Sequence, residues 1–180
     1  MDHAVELLPG VHHIALKRLG DSRGHFVKTH AVSALARLGI GFDLREEFHS
    51  VSARNVIRGM HFQRPPHDHD KLVYCASGRA LDVLLDLRPG PGYGAVRSVV
   101  LDAVTPSLLV ISRGVAHGFK ALEDNTLLVY KTSSEHAPSH DTGIHWNSFG
   151  FDWQCDTPIL SPRDQALPAF AAFGPTPFER

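Results

Sequence analysis

Ala80-Leu81-Asp82-Val83-Leu84-Leu85-Asp86-Leu87 is the stretch that decides the fold. It mixes alternation with a continuous apolar run, the pattern of a strand buried on most of both faces. Outward from it, short apolar runs recur between Gly, Pro and Asp. They predict strands over Val11–Lys17, His25–His30, Glu46–Ala53, Val56–Phe62, Lys71–Ala76, Ala80–Leu87, Ala95–Leu101, Ser107–Ile111, Gly114–Ala121 and Leu127–Thr132. Ala31–Leu38 has helical spacing and stops at Gly39. A second short helix is expected from Ser161, a good N-cap, with Pro162 at its first position. Many short strands with regular turn signals predict an all-β antiparallel sandwich or barrel, and a jelly roll manages sheet edges at this size.

The 180 residues suggest one domain over 1–180, long enough for a substantial core without staples. A formal charge of −1 gives no electrostatic case for nucleic acid or an anionic membrane surface. Two distant cysteines, Cys75 and Cys155, make a poor disulfide framework, so a cytoplasmic location is expected. Met1–Glu6 carries acidic residues where a signal peptide needs basic and apolar ones, and no apolar run approaches ~20 residues. Gly174-Pro175-Thr176-Pro177 reads as a segment that frays or crosses the surface.

The chemistry concentrates in Asn55-Val56-Ile57-Arg58-Gly59-Met60-His61-Phe62-Gln63, followed ten residues after the histidine by Lys71. A base, a guanidinium and an ammonium on neighbouring strands can remove a proton beside a carbonyl and hold the resulting negative charge. His117-Gly118-Phe119 and Val129-Tyr130-Lys131 add a second polar strand and a candidate acid.

These segments resemble the dTDP-4-dehydrorhamnose 3,5-epimerase family. So do Gly20-Asp21-Ser22-Arg23-Gly24-His25-Phe26, Lys71-Leu72-Val73, Gly78 through Asp86-Leu87-Arg88, Gly114–Phe119 and Gly143-Ile144-His145-Trp146-Asn147, over about Val11 to Pro168. The resemblance implies a cupin-type jelly-roll (double-stranded β-helix) barrel with a few short helices, no metal and no cofactor. It implies a nucleoside-diphosphate 4-keto-6-deoxy sugar as substrate, inverted at C3, C5 or both through an enolate, and a homodimer with an exchanged N-terminal strand. Carried onto this chain, it makes His61 the base, Asp164 its carboxylate partner, Lys71 the contact of the keto oxygen and Tyr130 the general acid. Imidazole titrates near neutrality and a tyrosine is protonated there, so both suit these tasks. Arg23 and Arg58 match residues near sugar and diphosphate, where planar guanidinium groups suit phosphate oxygens. His117 matches a cavity histidine, and Asp82 could orient one of these polar side chains.

The chain departs from the family where substrate is positioned. Lys28, close after Phe26, stands where the family usually has Glu. Glu46-Glu47-Phe48 precedes His49-Ser50 where the family commonly reads Gln-Asp-Asn. Glu135 and His136 follow Tyr130-Lys131 where aromatics are usual. Phe26, Lys28, Glu46, Phe48 and Gln63 therefore join the expected substrate contacts, and an altered ligand is expected. Two other readings stay open. One is a metal-dependent cupin enzyme using His61, His67, His69 and His117, with the cation Lys71 against it. The other is a non-catalytic sugar-nucleotide binder.

Overall fold

Residues 3–175 are described by the computed structural model, so Thr176 and Pro177 of the Pro-rich end lie outside it. With strands numbered along the chain, two antiparallel sheets face each other. The first has six strands: β1 (Ala4–Leu8), β2 (Val11–Ala15), β10 (Ser107–Ile111), β7 (Lys71–Ser77), β12 (Thr126–Thr132) and β5 (Glu46–Ser52), in that spatial order. The second has five: β13 (Asp141–Gly143), β6 (Ile57–Gln63), β11 (Val115–Ala121), β8 (Arg79–Asp86) and β9 (Val96–Asp102). A separate hairpin joins β3 (Arg18–Asp21) to β4 (Gly24–Val27). The arrangement is an all-β, cupin-like jelly roll. Among the described residues no helix is long and apolar enough to cross a membrane.

Three apolar layers hold it. Val73, Leu84, Leu101, Leu109, Phe119 and Leu128 fill the space between the sheets. Leu35 of the helix α1 (Val32–Arg37) and Ile40 cover the outer face of the first sheet over Ile14, Leu72, Leu108 and Val110. The chain after β13 covers the second sheet, with Trp153 and Ile144 against Met60, Val83 and Leu85. Each such side chain fully buried contributes ~1.5–3 kcal/mol.

All ten expected strands form, Ser107–Ile111 with the expected bounds and the other nine with shifted ends. His25–His30 is shortened to Gly24–Val27, because the hairpin has no further partner beyond its four paired residues. Three strands escaped the sequence pattern: β1, interrupted by Glu6; β3, exposed throughout; and β13, only three residues long. The helix α2 (Pro162–Gln165) starts as expected, with the Asp164 amide donating to Ser161 Oγ at 3.0 Å.

One irregularity positions the site. His117 pairs with His61 and Phe119 with Arg58, so three residues of β6 advance against two of β11. The extra residue is a β-bulge. Without it Arg58 and His61, three apart, would point to opposite faces; with it both line the same cavity. Gly59 and Gly118 permit the close approach. A Cβ on Gly59 would collide with Gly118 Cα and the His117 carbonyl, and Gly59 has φ +128°.

Candidate active site

An open cavity of about 400 Å³ is lined from both sheets. β6 and β11 supply Arg58, His61, Gln63 and His117; β5, β7 and β12 supply Glu46, Phe48, Ser50, Lys71, Tyr130 and Thr132. His61 and Tyr130 therefore stand on opposite walls.

His61 Nε2 lies 2.6 Å from Asp164 Oδ1. The carboxylate can only accept, so Nε2 carries the proton and Nδ1 is left as the basic nitrogen. Asp164 is buried, which works to raise its pKa. The hydrogen bond and charge of His61 outweigh that, with help from the Gly59 amide at 3.4 Å, and hold the carboxyl below its usual range. It stays ionised and can stabilise a positive charge on the His61 ring.

Lys71 crosses between the walls, its Nζ donating to the His61 carbonyl at 3.3 Å. Burial lowers its pKa to about 8, against the pull of Asp141 and Asp82. Its ammonium is present at neutral pH with hydrogens to spare for an oxyanion. Tyr130 is nearly enclosed, and burial raises its pKa well above the ordinary 10. It is a protonated donor under any ordinary condition. Phe48 stacks on it with ring centroids 4.9 Å apart and planes at 14°, and Ser50 Oγ lies 3.3 Å from its hydroxyl. His117 is locked by Asp82, which is fully buried and accepts from Nε2 through both oxygens at 2.8 and 2.9 Å.

Other expected contacts have structural tasks at the rim. Arg58 donates to Ser52 Oγ at 3.1 Å and to the Val51 carbonyl at 3.4 Å. Gln63 Nε2 donates to the His67 carbonyl at 2.7 Å, and its Oε1 accepts from the Ala137 amide at 2.6 Å. Glu46 accepts from the His136 amide at 2.8 Å. Arg23, Phe26 and Lys28 do not join the cavity of their own chain. They lie on or just past the β3–β4 hairpin, all exposed, with Arg23 paired to Asp21.

The four histidines of the metal reading do not converge. His67 packs on the His140 ring, His69 Nδ1 is engaged by Ser134 Oγ and Gln63, and His117 is committed to Asp82. His69, pushed down to about 3 by burial and then by Lys71, is neutral. Among the described residues no group of three His, Cys, Asp or Glu side chains is arranged to hold a metal ion.

Sequence reasoning missed Thr132, Asp141 and Arg163 as lining residues, and gave Ser50 no role. Arg163 and His136 both bind Asp141 Oδ2, at 2.8 and 3.1 Å. Ser50 was within reach: Glu46, Phe48 and Ser50 alternate along β5 and so share a face. Asp141 gave no signal in a three-residue strand.

The family model for dTDP-4-dehydrorhamnose 3,5-epimerase matches residues 6–172. The chain belongs to that family. The Escherichia coli dTDP-4-dehydrorhamnose 3,5-epimerase is 40% identical over 82% of this chain and 83% of its own length. A Streptomyces niveus dTDP-4-dehydrorhamnose 3-epimerase is 37% identical over 88% and 78%. Among solved structures, the Legionella pneumophila 3,5-epimerase in complex with dTDP-4-keto-L-rhamnose superposes with TM-score 0.92 at 26% identity over 99% of both chains. A Mycobacterium tuberculosis epimerase of the family superposes with TM-score 0.89 at 36% identity, over 94% of this chain and 89% of its own. This family member is accordingly an isomerase, a sugar-nucleotide epimerase of deoxysugar biosynthesis.

Proposed function

We propose that this epimerase inverts C3, C5 or both of a nucleoside-diphosphate 4-keto-6-deoxy sugar with His61, Lys71, Tyr130 and Asp164 as its catalytic residues. The observation that carries this is the opposition of His61 and Tyr130 on two walls, with Lys71 reaching between them. His61 Nδ1 takes the proton from the carbon beside the ketone, and the C–H electrons move into an enolate. The Lys71 ammonium stabilises that oxygen only as its charge develops, so it favours the transition state. Tyr130 then gives its phenolic proton to the opposite face of the carbon. The ketone is the electron sink, so no cofactor takes part.

Arg58 is proposed to meet the diphosphate, with Glu46, Phe48, Gln63 and His117 shaping the sugar's surroundings. The chain is proposed to act as one domain, in the cytoplasm, as a homodimer. In that dimer the exposed Arg23, Phe26 and Lys28 are free to reach the partner's cavity.

The test is deuterium incorporation in D₂O, located by NMR, with 4-keto-6-deoxy sugars on thymidine, guanosine and cytidine carriers. Exchange at C3 and C5 marks a double epimerase, and exchange at C3 alone a single one. No exchange on any carrier would defeat the proposal, as would unchanged turnover in His61→Ala and Tyr130→Ala.

A further inference from the structure

Among the described residues the Tyr130 hydroxyl has one hydrogen-bond partner, Ser50 Oγ at 3.3 Å. The two groups come from different strands: Ser50 from β5, Tyr130 from β12. β5 is an edge strand of its sheet, and Ser50 is only partly covered and lines the cavity. Tyr130 is 7% exposed, its ring roofed by Phe48. An acid enclosed in this way has a difficulty that His61 does not share. Once it gives up its proton, the phenolate is left largely buried, which disfavours the charge. It must also be reprotonated before the next turnover, and Ser50, its hydrogen-bond partner on the open cavity, is placed to pass a proton to it.

We infer that Ser50 is the positioning residue and proton relay of Tyr130, an assignment that rests on the proposed acid role of that tyrosine. Ser50 Oγ–H donates to Tyr130 Oη, which fixes the hydroxyl's direction and stabilises the phenolate as it forms. In the recovery step the Ser50 O–H bond breaks as the Tyr130 O–H bond forms, and a cavity water gives a proton to Ser50 Oγ. The proton that His61 releases to solvent on the opposite wall balances the one drawn in here. No oxidant or other reactant is needed.

The arrangement separates two events that an epimerase normally couples. Removal of the substrate proton by His61 does not pass through Ser50, whereas delivery to the opposite face does. The test uses substrate deuterated at the exchanging carbon and follows loss of label and inversion together. In Ser50→Ala, inversion is expected to fall about 10- to 100-fold, the worth of a hydrogen bond to a developing anion. Label loss with retained configuration is expected to persist within about threefold, because His61 can still take and return the proton. Persisting label loss also shows that the variant is folded. Ser50→Thr keeps a hydroxyl on a β-strand and is expected to restore inversion. Equal loss of both events, no loss of either, or no rescue by threonine would overturn the assignment while leaving the epimerase reading intact. Absence of label loss in the unmodified protein would sink the reading of the whole site and this assignment with it.

Discussion

Replacing Lys71 by Met is expected to stabilise the protein while removing its chemistry. Lys71 is 9% exposed, and the His61 carbonyl at 3.3 Å is the hydrogen-bond partner of its ammonium among the described residues. Burial lowers its pKa from 10.5 to about 8. At 1.36 kcal/mol per tenfold, holding that charge in the folded state at pH 7 costs ~3 kcal/mol relative to the unfolded chain. Below about pH 8 both states are protonated and the whole penalty is present. From there to 10.5 the unfolded chain binds more protons, so stability rises with pH until the penalty is gone. Methionine has a similar length, no charge and a soft fit in irregular space. The variant should therefore gain ~2–3 kcal/mol at pH 7, about 5–10 °C in Tm for a chain of this size. Its advantage should shrink by about half at pH 9.5. Thermal unfolding of both proteins at the two pH values measures this, with deuterium exchange on the same samples expected to vanish in the variant. A Lys71→Met variant no more stable than its parent at pH 7 would refute the reasoning. So would an advantage indifferent to pH, since the buried charge would then not be its source.

Three further outcomes follow from the same geometry. Asp164→Asn places an amide that can donate to His61 Nε2 and so force the proton onto Nδ1, the nitrogen needed as base; kcat/KM should fall about 10²–10⁴-fold, and a change under threefold would count against the dyad. If the enolate needs a charged Lys71, kcat/KM should decline as pH rises through about 8, the value to which burial brings that lysine, and a pH–rate profile flat to pH 10 would remove it from the mechanism. Gly59→Ala forces a side chain against Gly118 and the His117 carbonyl at positive φ, and should destabilise by ~2–4 kcal/mol in urea unfolding; a loss under ~0.5 kcal/mol would show that β6 and β11 can part freely.

Inversion at carbon requires a proton to leave by one face and arrive by the other. A two-sheet sandwich suits this because its walls are separate elements with one gap between them. His61 hangs on the second sheet, backed by Asp164 from a helix packed behind it, and Tyr130 on the first, backed by Ser50 and Phe48 from its neighbouring strand. Each of the two proposed proton-transfer groups is thus oriented from its own side. The environments also push the two apart in chemistry. Enclosure keeps Tyr130 a donor, while an ionised partner keeps His61 Nδ1 free to accept.

Much of this was legible in the chain. Strand positions follow from apolar runs between turn residues, and α2 from Ser161 and Pro162, because these are local preferences of backbone and side chain. The family resemblance named His61, Lys71, Tyr130 and Asp164, four residues that the fold brings around one cavity or directly behind its wall. What stayed hidden is non-local. Asp141 joins the site through a three-residue strand with no periodic signal, fixed only by pairing with β6. The sharing of one face by Arg58 and His61 could not be read either, since strict alternation puts residues three apart on opposite sides of a strand. A single extra residue between them reverses that. Its position depends on the glycine of a different strand, Gly118, standing close enough for the backbone of β6 to buckle against it.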